Sequence, residues 1–280
     1  MFEQNYGALA AALAGCYTSI SNSADAVLWN AAGLSKIERQ ELSFMYGKPY
    51  VAFSDVDLSY QYLSYARYIA KFRSGMGIAW AKFNNSDVYK QEIIAVGISY
   101  LISPLKYFAV GVAIKYMGHK FNFSYLPTDD STGGYKDNKY GISIDVGILY
   151  NLRPNIRLGV TIRNVNSPDI GITSRDVIPM EIRIGMNVVL YSKSRFTELT
   201  PIVEFVVENN RVTFSIGMEA SLLKKSLFLR AGFNDYEIAL GFGWNKNIKN
   251  FILKIDYAYS IPTQLEFSGG SHRISIGIKT

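Results

Sequence analysis

Phe108-Ala109-Val110-Gly111-Val112-Ala113-Ile114-Lys115-Tyr116-Met117 is the stretch whose reading decides the fold. At period two, one face carries Phe108, Val110, Val112, Ile114 and Tyr116, and the other Ala109, Gly111, Ala113, Lys115 and Met117. A helix would place its apolar residues three and four apart, which this stretch does not do, whereas a pleated strand sends successive side chains to opposite faces. Gly141–Asn151 repeats the split, with Ile142, Ile144, Val146, Ile148 and Tyr150 against Gly141, Ser143, Asp145, Gly147 and Asn151; Leu149 is the exception. Ile156–Arg163, Arg211–Ser221, Glu237–Asn245, Phe251–Ser260 and His272–Lys279 follow the same rule.

Working outward, about fourteen such segments of roughly ten residues tile the chain, the length of a tilted membrane strand. They lie near 41–50, 56–68, 74–84, 89–102, 108–123, 139–152, 155–165, 179–192, 196–208, 210–222, 226–234, 236–245, 251–261 and 271–280. Short connections such as Arg153-Pro154-Asn155, Glu208-Asn209-Asn210 and Asn234-Asp235 suit antiparallel hairpins. No helical pattern separates the strands, which argues against parallel crossover units.

Alternation alone fits a soluble two-sheet sandwich as well as a membrane barrel. Three features favour the barrel. Nearly every segment has one fully apolar face of large residues. The opposite face is Gly, Ala, Ser and Thr with one or two charges of either sign, as a crowded polar lumen would need. The lumen-facing candidates are Lys115, Asp145, Arg157, Arg163, Glu181, Arg183, Glu204, Glu219, Arg230, Glu237, Lys254, Asp256 and Arg273. Aromatics also gather near strand ends, at Tyr46, Tyr50, Tyr100, Tyr116, Tyr150, Tyr191, Trp244, Tyr257 and Tyr259, where interfacial girdles sit.

Loop parity agrees. The three longest connections, Phe123–Lys139, Asn166–Ile178 and Ile261–Gly270, are the fifth, seventh and thirteenth, so all fall on one rim. Outer-membrane barrels have long outside loops and tight periplasmic turns, which predicts both chain ends on the periplasmic side. The opposite, even-numbered turns carry Lys71, Lys106, Arg153, Lys193, Lys224, Lys225, Lys246 and Lys249. The net charge of +6 is therefore partly a rim feature rather than the gathered basic face of a nucleic-acid binder.

Composition narrows the rest. Charged residues are 19% of the 280, below the ~25% usual for soluble domains. No apolar run reaches the ~18 residues of a membrane helix, which leaves strand-spanning open. A single cysteine and two histidines exclude a disulfide framework and a Cys/His zinc site. His119 and His272 have no spaced partner and no nucleophile stands beside a base, so no catalytic residue, metal site or cofactor is expected and the chain is read as a non-enzyme. Leu13-Ala14-Gly15-Cys16 looks like the end of a lipoprotein signal, but Met1–Gly7 lacks Lys and Arg, so the expectation is a buried, inert Cys16 and no visible export signal. Gly75, Gly77, Gly241 and Gly243 alternate within strands and are expected to allow close packing or a kink.

Tyr17-Thr18-Ser19 followed by Asp25-Ala26-Val27-Leu28-Trp29-Asn30-Ala31-Ala32-Gly33-Leu34 resembles the N-terminal signature of the PorV/PorQ-type, FadL-like outer-membrane proteins. So do the segments Asp145–Tyr150, Arg163–Val165, Pro179–Gly185, Leu229–Phe233, Lys254–Tyr259 and Ser271–Ile276, in matching order over essentially the whole chain. The resemblance implies an outer-membrane barrel of fourteen strands (41–280) with an N-terminal hatch (1–40) folded into the lumen. The hatch motif maps to Trp29, Asn30, Ala31, Ala32 and Gly33, with Ala31 where the family has proline. Two functions follow as expectations. One is passage of a hydrophobic small molecule through the barrel, which predicts an apolar lumen pocket and a gap between strands. The other is a type IX secretion role, which predicts an outer-loop surface (124–138, 166–178, 261–270, with Leu126, Ile170, Ile172, Val177, Leu265 and Phe267) that binds and shuttles secreted cargo. The partners implied are outer-membrane lipid and either a hydrophobic ligand or a secreted protein.

Overall fold

In the computed structural model of the chain, the described residues are 6–53, 56–86, 88–103, 107–122, 138–172, 174–191, 197–265 and 267–280. The strands predicted above are realised to within a few residues at each end: β1 (Gln40–Lys48), β2 (Leu58–Ile69), β3 (Ser74–Asn85), β4 (Tyr89–Ser103), β5 (Phe108–Phe121), β6 (Asn138–Arg153), β7 (Ile156–Arg163), β8 (Glu181–Val188) with its short continuation β9 (Leu190–Tyr191), β10 (Glu198–Glu208), β11 (Arg211–Leu222), β12 (Leu227–Asn234), β13 (Glu237–Ile248), β14 (Phe251–Pro262) and β15 (Ser271–Lys279). β8 and β9 pair with the same neighbour, β10, so they form one wall strand and the wall has fourteen.

Each strand is antiparallel to the next, and β1 pairs with β15 from Glu41↔Lys279 to Lys48↔His272, which closes the ring. The Thr280 N–H donates to the Gln40 carbonyl at 3.0 Å beside that seam. Among the described pairs the register shifts near Leu101/Ser103 and Asn151/Arg153, and β7 pairs with β6 from Val146 to Arg153, short of the outer half of β6. The turn at Asn209-Asn210 puts both residues at positive φ (46° and 61°), the geometry of the tight hairpin that matches strand twist, and asparagine tolerates it best after glycine.

The apolar stripe looks outward. Ile114 is 55% exposed, Val96 56% and Ile142 59%, an arrangement that only a lipid solvent stabilises over a belt this continuous. Exposed Tyr46 and Tyr116 mark one rim, and Tyr100, Tyr191 and Trp244 the other. Tyr116 and Tyr140 stack with centroids 5.0 Å apart. The inward stripe is small or charged but also carries large residues: Met117 and Leu149, which alternation placed there, and Met45, Tyr62, Ile93 and Ile202, all buried.

What they pack against is the chain before β1. Residues 6–37 run inside the barrel as α1 (Ala8–Ala12), α2 (Ala26–Trp29) and a 3-10 turn, Ala31–Lys36, and are buried almost throughout. α1 lies against β12–β15, and the 3-10 turn against β2–β6. Cys16 is fully buried among them. The connections 164–180 and 263–270 share one rim, as expected; the loop residues 123–137, including Leu126, and the turn residues Lys106 and Lys193 lie outside the described residues.

Candidate functional site

Glycine permits the segment and the wall to meet. A Cβ on Gly75 would strike the Leu34 carbonyl, on Gly111 the Ala31–Ala32 backbone, on Gly159 Thr18 and Ser19, and on Gly232 the Leu13–Ala14 backbone. Gly77 and Gly241 serve the same contact, whereas Gly243 departs from expectation: it makes room for the side chains of Arg230 and Asp256. The inner backbone thus comes closer to the sheet than any side chain on those strands would allow.

The motif residues occupy this contact. Asn30 Nδ2 donates to the carbonyls of Thr18 (3.1 Å), Ile148 (3.0 Å) and Val160 (3.4 Å), while its Oδ1 accepts from the Ala32 N–H (3.2 Å). Ala31 opens the 3-10 turn and Ala32 packs with Leu101, Ala109 and Leu149. Gly33 lies so near the Ser21 carbonyl that no side chain fits. Trp29 donates from Nε1 to the Tyr6 carbonyl (2.9 Å) and is flanked by the guanidinium groups of Arg163 and Arg183 at 4.9 and 5.0 Å from its ring, the stacking expected for arginine on indole.

The lumen charges form four groups. Arg183 bonds Glu204 (2.7 Å) and Glu181 (3.4 Å), and Arg163 bonds Glu181 (3.2 Å). Glu204 is fully buried and also accepts from the Thr18 N–H and hydroxyl (3.0 and 2.8 Å), which tethers the inner segment to the wall. Lys115 pairs with Asp145 (2.8 Å), and Asn164 joins both by accepting from Lys115 and donating its backbone N–H to Asp145. Arg230 bonds Glu219 (2.7 Å) and Asp256 (2.6 Å), and Lys254 bonds Glu41 (2.7 Å). Arg157 stands apart near the other rim, donating to Asn151 at 2.8 Å, and Arg273 stands apart above. Thr18 and Asn164 entered the sequence reading only inside the segments of resemblance, with no role assigned, and Glu41 was not named as a lumen charge. The alternating pattern assigns a residue to a face but does not name its partner.

Above Trp29 the bore opens. A vestibule of about 880 Å³ is lined by Tyr50, Tyr60, Arg163, Arg183, Glu208, Arg211, Thr213, Asn234, Glu237, Ser271 and Arg273, with Ala14 at its floor. It shares Arg163, Glu181, Glu208 and Asn209 with a side chamber of about 380 Å³, where Tyr6, Leu28, Ile93, Met117, Phe121 and Ile170 meet Gln91, His119 and Lys115. Tyr89 and Phe121 lie 4.6 Å apart there, and Phe121 and His119 5.2 Å. On the far side of the inner segment, the cavity between Asp25, Glu41 and Lys254 holds only about 10 Å³, at most the room of a single water. Among the described residues no group of His, Cys, Asp and Glu is placed to hold a metal ion.

Solved structures share this architecture. The Ralstonia pickettii toluene transporter TbuX aligns over 100% of this chain and 99% of its own (TM-score 0.65, 11% identity). The CymD monoaromatic hydrocarbon channel covers 97% and 96% (0.65, 12%), and a Pseudomonas aeruginosa FadL homologue 99% and 97% (0.60, 10%). At these identities the likeness is one of fold. No curated protein matches the chain. The closed wall and its outward apolar belt are those of an outer-membrane barrel, and the family model for the type IX secretion system membrane protein PorP/SprF matches residues 35–278, so the chain belongs to that family.

Proposed function

We propose that this protein is an outer-membrane component of type IX secretion that holds a segment of a secreted protein in its vestibule, with residues 1–40 acting as a hatch that closes the bore beneath it. The observation that carries the reading is the asymmetry of the lumen among the described residues: a vestibule of about 880 Å³ on one side of Trp29, and on the other a cavity of about 10 Å³ between Asp25, Glu41 and Lys254. A site open at one end suits binding better than continuous flow. By loop length the open rim is the outer one. The likeness of Trp29–Leu34 to PorV/PorQ-type proteins supports the same role.

The test is made in the native cell. Thr213→Trp, which narrows the vestibule, is compared with the unchanged protein, and type IX cargo is measured at the surface and in the medium. Cargo lost from the surface supports the reading; an unchanged distribution ends it.

One observation favours a second reading. The side chamber sets Leu28, Ile93, Met117, Phe121 and Ile170 beside Gln91, His119 and Lys115, a mixed pocket with an apolar side and the size that drug-like molecules fill. It supports binding of a hydrophobic small molecule, the class named for the toluene and hydrocarbon channels of the same fold. Uptake of labelled toluene into vesicles holding the full chain, at a rate above empty vesicles, supports passage; equal rates exclude it.

A further inference from the structure

Of the luminal cations without a carboxylate partner among the described ion pairs, Arg157 lies near the other rim and Arg211 is exposed at the mouth, which leaves Arg273 as the buried one that faces the vestibule. Lys115, Arg163, Arg183, Arg230 and Lys254 each have a carboxylate within 3.2 Å. Arg273 does not. It is only 8% exposed, and its one hydrogen bond runs from Nη1 to the Ser260 hydroxyl at 3.2 Å. The wall is shaped to hold it: its stem passes over Gly47, where a Cβ would come within 3.0 Å of Cγ, and its guanidinium sits 5.3 Å from the Tyr60 ring centroid. A guanidinium this enclosed by the wall and without a carboxylate at ion-pair distance presents free donors to whatever enters the space beside it. The remaining N–H groups of its fork have no acceptor in the described chain and border the vestibule.

We infer that Arg273 is an anchor for a carboxylate of the polypeptide held in the vestibule, a chain terminus or an acidic side chain. The planar fork matches a carboxylate's two oxygens. The lining carries four arginines against three glutamates, a surplus of one positive charge, which suits a single carboxylate better than a phosphate cluster that the glutamates would repel. That the carboxylate belongs to a polypeptide rests on the function proposed above; the anion site itself does not.

The experiment uses the full chain in detergent and the probe N-acetylglycine, with N-acetylglycinamide as its neutral twin, followed by saturation-transfer NMR. N-acetylglycine binds and the amide does not. Arg273→Gln weakens binding about tenfold or more, and Arg273→Lys, which keeps the charge and loses the fork, weakens it by a smaller factor while preserving the fold. Lys249→Gln, an exposed cation in the turn on the opposite rim, changes it less than about twofold. Heat-modifiable migration verifies that each variant is folded. Equal binding of acid and amide, or full binding by Arg273→Lys and Arg273→Gln, overturns the site. Inorganic phosphate displacing the probe at lower concentration than unlabelled N-acetylglycine does overturns the carboxylate assignment. If cargo stays at the surface of cells carrying Arg273→Gln, the anchor is overturned while the secretion reading stands. If the probe binds through Arg273 but Thr213→Trp leaves cargo unmoved, the anion site stands and its polypeptide partner is overturned.

Discussion

Glu204 shows how one side chain can fasten two parts of a barrel. Its carboxylate, fully buried, takes the Arg183 guanidinium from the wall and the N–H and hydroxyl of Thr18 from the inner segment. Removing one partner of a buried pair leaves the other charge uncompensated, which costs about 3–5 kcal/mol. Glu204→Gln is therefore expected to lower the guanidinium unfolding midpoint sharply, whereas Glu198→Gln, whose partner Lys225 is mostly exposed, costs less than about 1 kcal/mol. Comparable midpoints for the two variants would refute the tether. The inward aim of Glu204 was legible from alternation. Its partner Thr18 was not, because 186 positions separate them and nothing local marks the contact. Asn164 was hidden for a different reason: at φ 52° it leaves the strand conformation, and the alternating rule no longer tells where its side chain goes.

The element with most structure of its own outside the strands is the 164–180 connection. Asn166 caps the free edge of β6, accepting from the Ile144 N–H (3.1 Å) and donating to the Ile142 carbonyl (2.7 Å), and an isolated bridge joins Asp169 to Val177. Asp169 accepts from the N–H groups of Gly171 (2.9 Å) and Asp176 (3.0 Å), and these bonds hold its carboxyl below the usual carboxylate range. A carboxyl lowered on folding stabilises the fold fully above its unfolded value near ~4, and that contribution is lost as pH falls through the lowered value. Amide protection factors at Gly171 and Asp176 should thus drop on acidification below about 4, and Asp169→Asn should remove the dependence. Flat protection factors in the unchanged protein would count against this. Sequence reading recognised a long loop around Ser167-Pro168-Asp169. It could not recognise the folding back, since the bridge depends on residues eight apart with no turn signature between them.

For the whole molecule, the wall and its contents are one packing problem. Gly111 and Gly232 lie on strands far apart around the ring, yet both touch inner backbone closely enough to exclude any Cβ. Gly111→Leu with Gly232→Leu should displace the inner segment and convert a silent barrel into one with steady single-channel current in a planar bilayer. Silent traces from the folded double variant would show that the bore is sealed by something else. The barrel was legible because a two-residue period survives in nearly every strand, and its outward stripe is uninterrupted. Large inward residues such as Tyr62 and Leu149 were harder to read, since they stand on stripes of small and polar residues and only the filled interior gives them something to pack against.

The seam between β1 and β15 also imposes an order of events. The wall is complete only when its last strand zips onto its first, from Lys48↔His272 to Glu41↔Lys279. By then the leading residues must already be gathered inside, for a chain tethered at Gln40 and pressed against the wall at Gly75, Gly111, Gly159 and Gly232 leaves no slack passage for late entry. Biogenesis therefore wraps the sheet around its own beginning, and a mistimed closure would strand that beginning outside.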